Sequence, residues 1–358
     1  ADGGSLDFGP PVTFSGTYLP GDSPARIEFF GGAAFTTTAD LGIEIGGVLP
    51  GQQFDRLELD AVADLDGTLN VTLIGGFVPA AGDEFEIIHA DAGVNGTFAV
   101  ENLPTLPAGL DWIVEYNAND VTLAVVAQPT EIVGRHIFYN NSYFDDAGQG
   151  RSDDDAIAPL PKTALLPGQT ATFDNYTSYS KGINGIMVDI ANATNLEAIS
   201  ATDFEFRVGN DNDPGNWATA PAPLSVSVRE GAGSGGSDRV TIIWADDVIK
   251  GQWLQVRVLT ANTGLTQPDV FYFGNVPGDS GNSSTNAFVN GFDFAGPRDN
   301  PTLTAGIASR FDYNRDNLVD GADLAVVLDG VTNFLTGVHL LRVPSLAPPA
   351  APLSSTLY

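Results

Sequence analysis

The chain has no cysteine. That absence excludes disulfides, thiolate metal sites and cysteine nucleophiles, and leaves the redox compartment open because many exported bacterial proteins also lack cysteine. Positive charge is scarce as well: 15 Lys and Arg stand against 45 Asp and Glu in 358 residues, a net charge of -30. Such a surface repels phosphate backbones and anionic lipid, which argues against nucleic acid and membrane surfaces as partners and makes a divalent cation the natural counterion. No apolar run approaches the roughly 18 residues needed to span a bilayer, so no transmembrane segment is expected. The opening ADGGSLDFG has neither a basic region nor an apolar signal core and reads as a mature or trimmed end.

What is present points to β structure. Gly 41 and Pro 23, with only 17% charged residues, describe short strands and turns rather than long helices. Hydrophobic residues make up 43%, enough to fill cores, and the length suggests two or three domains. The early runs RIEFF, AFTT, LGIEIGG, FDRLELD and GTLNVTLIGGF are short, glycine-spaced and alternating, with Leu57 and Leu59 against Glu58 and Asp60. That is the pattern of stacked or meandering strands with one buried face.

The phrases SGTYLPGDSPARIEF, LGIEIGGVLPGQQFDRLEL, GTLNVTLIGGFVPAAGDEFEII and GTFAVENLPTLPAGLDWIVEY resemble the closing segment of bacterial autotransporter-like β-helix passengers. The resemblance implies a β-helix-like domain over 1–127, secreted or surface-exposed; an ordinary β-sandwich is the alternative for these residues. VVAQPTEIVG reads as a linker or the start of a new domain. A second β set follows over 128–275, including GIMVDIA, DFEFRVGN, LSVSVRE, RVTIIWAD and QWLQVRVLT, and suggests a central sandwich or jelly roll. Trp244 and Trp253 are expected in the core. Asp145, Asp146, Asp153, Asp154 and Asp155 form an acidic loop, either simply solvated or holding a structural calcium. The phrases YNNSYFDD, KTALLPGQTATF, DFEFRVGND and DVFYFGNVPGDSGN resemble a segment of planctomycete surface proteins that precedes a dockerin-like tail.

The stretch FDYNRDNLVDGADLAVVLDG carries the clearest chemistry. With Asp312 first, Asn314, Asp316, the Leu318 carbonyl, Asp320 and Asp323 fall at the third, fifth, seventh, ninth and twelfth positions of a calcium loop, whose tight path aims alternate oxygens at one hard cation. Asn317 stands where glycine is usual, and Asn tolerates the left-handed geometry required. Asp at the last position resembles the dockerin form of the loop. A following helix is expected to bury Leu324, Val327, Leu328, Val331 and Leu335. Upstream, NAFVNGFDF aligns with DNLVDGADL at a constant offset of 30 (323 minus 293), giving Asn282, Ser284, Asn286, the Phe288 carbonyl, Asn290 and Asp293 as a second set. With a single carboxylate, this first site should bind calcium more weakly.

The sequence therefore predicts a mainly β chain ending in a small α-helical dockerin-like module over 276–342 and a Pro/Ala-rich extended tail over 343–358. Expected with it are bound Ca2+ and a secreted location on the cell surface or in the extracellular matrix. The expected partners are other copies of the chain in a homo-oligomer or filament, with a cohesin-like domain or surface polysaccharide as alternatives. The role expected is structural or adhesive and non-enzymatic. GDSGN (278–282) resembles a serine-protease nucleophile motif, but His89, His136 and His339 sit in contexts that offer no base, and no carboxylate pair marks a glycosidase.

Overall fold

The computed structural model describes residues 11–21 and 24–345, with the side chain of Ala147 not described. It is mainly β and divides into two compact units, 1–129 and 130–358.

In the first unit three short strands make one turn, and successive turns stack. The turns are β1 (Val12–Phe14), β2 (Thr17–Tyr18) and β3 (Arg26–Phe29); then β4 (Ala33–Phe35), β5 (Asp40–Ile45) and β6 (Arg56–Leu59); then β7 (Ala63–Leu65), β8 (Thr68–Leu73) and β9 (Glu84–Ala90). A last partial turn, β10 (Val94–Gly96) and β11 (Val100–Asn102), runs into the antiparallel pair β12 (Leu110–Tyr116) and β13 (Asp120–Ala127), which joins β9. The sheets are β1-β4-β7-β10, β2-β5-β8-β11 and β3-β6-β9, each parallel, with the hairpin closing the third. Register places like on like: Leu41 opposite Leu69, Ile43 opposite Val71, and Ile27, Leu57 and Ile88 in one column. Each turn thus buries a face that it cannot cover alone. One corner needs glycine for two reasons at once: Gly67 has φ +78, and a Cβ there would lie 2.3 Å from the Ala39 carbonyl oxygen.

The second unit holds a sandwich. One sheet orders β14 (Glu131–Ile137), β16 (Gly185–Ala191), β20 (Asp238–Ile243) and β19 (Ser225–Arg229). The other orders β15 (Tyr176–Thr177), β22 (Asp269–Asn275), β21 (Trp253–Val258), β17 (Phe204–Gly209) and β18 (Ala218–Thr219). Between them Ile186, Val188, Ile190, Val240 and Ile242 meet Phe204, Leu254, Val256, Val258 and Phe271. Trp244 and Trp253 are fully buried. β14 begins at Glu131, so the segment that reads as a linker contributes its second half to the sheet.

The outer face of the five-stranded sheet is covered in turn. Tyr176, Trp253, Val270 and Tyr272 pack against Ala287, Val289, Tyr313, Val327, Val338 and Leu341. Residues 276–345 therefore share a core with the sandwich. They contain α1 (Gly291–Asp299) and α2 (Gly321–Asp329).

The helix after the second loop is shorter than its apolar periodicity predicts. α2 stops at Asp329 because the Gly330 N–H closes onto the Val326 and Val327 carbonyls, and Thr332 N–H then bonds the Val289 carbonyl. Of the expected core positions Val327 is buried and Leu324 partly so, while Leu328, Val331 and Leu335 are 62%, 59% and 78% exposed.

Candidate metal centre

Both loops that the sequence singles out lie on the covered face of the sandwich, and they are related part by part. α1 and α2 begin 30 residues apart (321 minus 291), and each opens with the same reciprocal cap. Asn290 accepts from Phe292 N–H at 2.9 Å while Asp293 accepts from Asn290 N–H at 2.9 Å. Asp320 accepts from Ala322 N–H at 2.7 Å while Asp323 accepts from Asp320 N–H at 2.9 Å. The loops are cross-paired: Val319 exchanges backbone bonds of 2.8 and 3.1 Å with Thr302, and Thr332, the counterpart of Thr302 (332 minus 302), pairs with Val289, the counterpart of Val319 (319 minus 289).

In the second loop Asp312 and Asp323 are fully buried. Asp312 takes Asp316 N–H at 3.2 Å and Asn317 N–H at 3.1 Å, one on each carboxylate oxygen. Asp316 takes Leu318 N–H at 2.9 Å and the Asn314 amide at 2.8 Å, and Asp323 takes Tyr313 N–H at 2.6 Å. The path requires left-handed backbone at Arg315 (φ 55) and Asn317 (φ 71), so Asn stands where the loop needs it. Burial pushes the Asp312 carboxyl up to about 6, the Arg315 guanidinium offsetting part of this and Asp323 and Asp316 adding to it. Burial likewise raises Asp323. Among the described residues no Lys or Arg nitrogen comes within 4.0 Å of these carboxylates. Buried carboxylates without a paired base are costly, and an all-oxygen set of this kind suits a hard divalent cation. The donors therefore fit calcium in chemical type. In the described residues no three Asp, Glu or His side chains are gathered around one point; the oxygens are turned onto the loop's own N–H groups.

The first loop is built differently. Asp293 Oδ1 accepts from Ser280 N–H at 2.9 Å, Ser280 Oγ at 2.7 Å and the Asn282 amide at 2.8 Å. Asn282 thus presents its nitrogen, not its oxygen, toward the acid it would share a metal with. Asn286 accepts from Phe288 N–H at 3.2 Å, and Asn290 donates to the Phe288 carbonyl at 3.0 Å. Ser284 is exposed. Neither Thr285 nor Ala287, at the positions of Arg315 and Asn317, has positive φ.

Four residues that sequence reasoning does not assign to the loops complete this region. Arg315 is buried, lies 4.4 Å over the Tyr139 ring, donates to the Tyr139 hydroxyl at 3.2 Å and to the Ser309 carbonyl, and its own carbonyl accepts from Tyr143 N–H at 2.9 Å. Asp279, in the GDSGN stretch, is buried against the Tyr176 hydroxyl at 2.5 Å, and burial pushes it up to about 6. Ser280 spends its hydroxyl on Asp293, and the Tyr313 hydroxyl is buried with no hydrogen-bond partner among the described residues. An arginine inside the acidic run 311–323 is a signal in the sequence for Arg315, while GDSGN draws notice to Asp279 and Ser280 without disclosing what they bond.

The other acidic loop divides. Asp145 lies beside Asp153 and Asp146 and is pushed up to about 6 by burial first and by Asp153 next. Asp154 is bound by Arg229 and Arg239, and Asp155 accepts from Ser152 N–H at 2.9 Å. The chain matches no protein-family model, and no curated protein matches it. No helix among the described residues is long and apolar enough to cross a membrane.

Proposed function

We propose that the chain is a calcium-stabilised, non-enzymatic structural or adhesive protein, secreted to a cell surface or extracellular matrix. The observation that carries the reading is the second loop: buried Asp312 and Asp323, left-handed backbone at Arg315 and Asn317, and oxygens at the spacing a calcium loop uses. The stacked parallel turns of the first unit support a β-helix-like closing segment, and the paired loops and caps support a dockerin-like module. Titrating the chelated chain with calcium while following thermal unfolding tests the reading. The expected result is a saturable rise in melting temperature that magnesium at the same concentration does not reproduce; no shift overturns it.

The second reading is an anchoring module that docks on a cohesin-like partner. It is favoured by the exposure of Phe292 (79%), Leu328 (62%) and Leu335 (78%), large apolar side chains on and just after the two helices. Self-association through the tail belongs to the first reading. Its apolar residues Leu346, Leu353, Leu357 and Tyr358 lie outside the described residues. Val343, at the start of the expected tail, is buried in the core shared with the sandwich and exchanges backbone bonds of 3.0 Å with Gly168 and Gln169, so the test deletes residues 346–358, which should remove large assemblies from light scattering while leaving the calcium-dependent melting in place.

A further inference from the structure

The two loops match in a respect that ligand spacing does not disclose: each holds a pair of buried carboxylates. In the second loop the pair is Asp312 and Asp323, at the first and last ligand positions. In the first loop the last position is Asp293, also fully buried, but the first is Asn282. The second buried carboxylate there is Asp279, three residues earlier and 1% exposed. Its counterpart in the second loop is Ser309 (309 minus 279), so this acid belongs to the first loop alone.

Asp279 and Asp293 lie side by side: burial first and Asp293 after it push the Asp279 carboxyl up. Among the described residues no Lys or Arg nitrogen comes within 4.0 Å of either acid. Two bases of the same region are spent elsewhere, Arg310 on the Ser280 and Gly281 carbonyls and Lys162 on the Phe173 and Tyr176 carbonyls. Asp279 Oδ1 takes Gly281 N–H at 2.9 Å, its Oδ2 takes the Tyr176 hydroxyl at 2.5 Å, and Asp293 Oδ2 takes Asn290 N–H at 2.9 Å. With one such donor each, these three oxygens keep a lone pair apiece. The Tyr313 hydroxyl is turned toward the same acids. Tyr313 is fully buried, its hydroxyl has no hydrogen-bond partner among the described residues, and after burial it is raised most by Asp293 and then Asp279. The Ser280 hydroxyl lies beside it and gives its hydrogen to Asp293 at 2.7 Å.

We propose that the first loop binds calcium between Asp279 and Asp293, with the Tyr313 and Ser280 hydroxyls as further oxygen donors, and not within the ring of Asn282, Ser284, Asn286 and Asn290. Two buried acids without a base and a buried hydroxyl without a partner are each costly. A divalent cation removes both costs, whereas a water would meet the hydroxyl and leave both charges in place. The all-oxygen donor set is the kind a hard cation takes. The ring, by contrast, is not assembled: Asn282 turns its nitrogen to Asp293, Ser284 is exposed, and Thr285 and Ala287 lack the left-handed backbone that shapes the second loop. Because Tyr313 comes from the second loop, the site spans both. It is the weaker of the two, since three donors already occupy Asp293 Oδ1.

This inference deepens the calcium reading and rests on it. Its test counts the calcium bound by the whole chelator-stripped chain in titration calorimetry, with circular dichroism and melting establishing that each variant is folded. The parent chain should show two sites. Asp279→Asn, which keeps the shape and the bond from Tyr176, should remove the weaker site and leave the tight one unchanged. Tyr313→Phe should weaken that same site at least about tenfold, and serves alone if Asp279→Asn does not fold. Ser284→Ala with Asn286→Ala should leave it unchanged. A weaker site that survives Asp279→Asn, is indifferent to Tyr313→Phe, or is lost with Ser284→Ala and Asn286→Ala would overturn the proposal, as would a parent chain with the tight site alone. A parent chain that binds no calcium would overturn the proposed function as well.

Discussion

At the scale of single residues the firmest electrostatic feature is remote from the loops. Asp189 is fully buried in β16, and Arg239 of β20 grips it with two bonds of 2.7 and 2.8 Å while His136 of β14 and the Ser234 hydroxyl each reach it at 3.0 Å. Burial alone would raise this carboxyl, but the bonds from Arg239, His136 and Ser234 hold it well below the usual carboxylate range. A depressed acid stabilises the fold fully above its unfolded pKa of about 3.9, and that contribution is lost as the pH falls below about 4. Asp189→Asn removes the carboxylate that Arg239 grips with two bonds and leaves Arg239 with Asp154 at 3.0 Å, and it should cost about 3 kcal/mol. Urea unfolding should show that loss at pH 7 and a smaller difference from the parent chain near pH 3. None of this is legible beforehand, since partners 50 residues apart are joined only by the pairing of their strands. The proposed loop ligands are a different case, because neighbours in sequence share one turn of backbone. Asp316→Ala with Asp320→Ala should abolish the calcium-dependent melting shift. Because Asp320 also caps α2, the double variant should lose about 1 kcal/mol even without calcium. A calcium shift that survives would remove these residues from the ligand set.

At the scale of elements, repetition is what the sequence discloses best. The offset that aligns Asp293 with Asp323 also places α1 against α2 and pairs Val289 and Val319 with counterpart threonines. The strands RIEF, RLEL and TLNVTL are readable from alternation, because one face of each is turned inward, partly buried in RIEF and buried in the other two. Periodicity misleads over Leu328, Val331 and Leu335, where the tertiary bond from Thr332 to Val289 takes the chain out of the helix. Nor does composition reveal that Asp293 already satisfies one oxygen with three protein donors. That bonding, the absence of left-handed backbone at Thr285 and Ala287, and Pro297 inside α1 all weaken the first loop as a metal site. Calorimetric titration of the whole chain with calcium should therefore resolve one tight site and a second that is far weaker. Two sites of equal affinity would refute the distinction.

At the scale of the molecule the two loops cannot be treated as a separate attachment. Tyr313 gives its carbonyl to Ser180 N–H at 2.8 Å, Arg315 gives its own to Tyr143 N–H, and Trp253 of β21 donates to the His339 carbonyl at 2.8 Å. Tyr313 sits between Asp312 and Asn314, two of the proposed ligands, and is itself buried in the core shared with Trp253. A cation held by the second loop therefore stabilises residues 130–345 as a whole. With calcium a hundredfold above its dissociation constant, linkage supplies about 2.7 kcal/mol, which for a unit of this size corresponds to roughly 5–10 °C. Scanning calorimetry should show the transition of the second unit moving by that amount as one cooperative event, while the transition of the first unit stays in place. Arg315→Met keeps the bulk against Tyr139 but removes the guanidinium bonds to Ser309 and Tyr139. It should cut the calcium-dependent shift of the sandwich by more than half without abolishing calcium binding in titration. A shift confined to a small early transition, or one unaffected by Arg315→Met, would show the loop unfolding independently of the sandwich it is packed on.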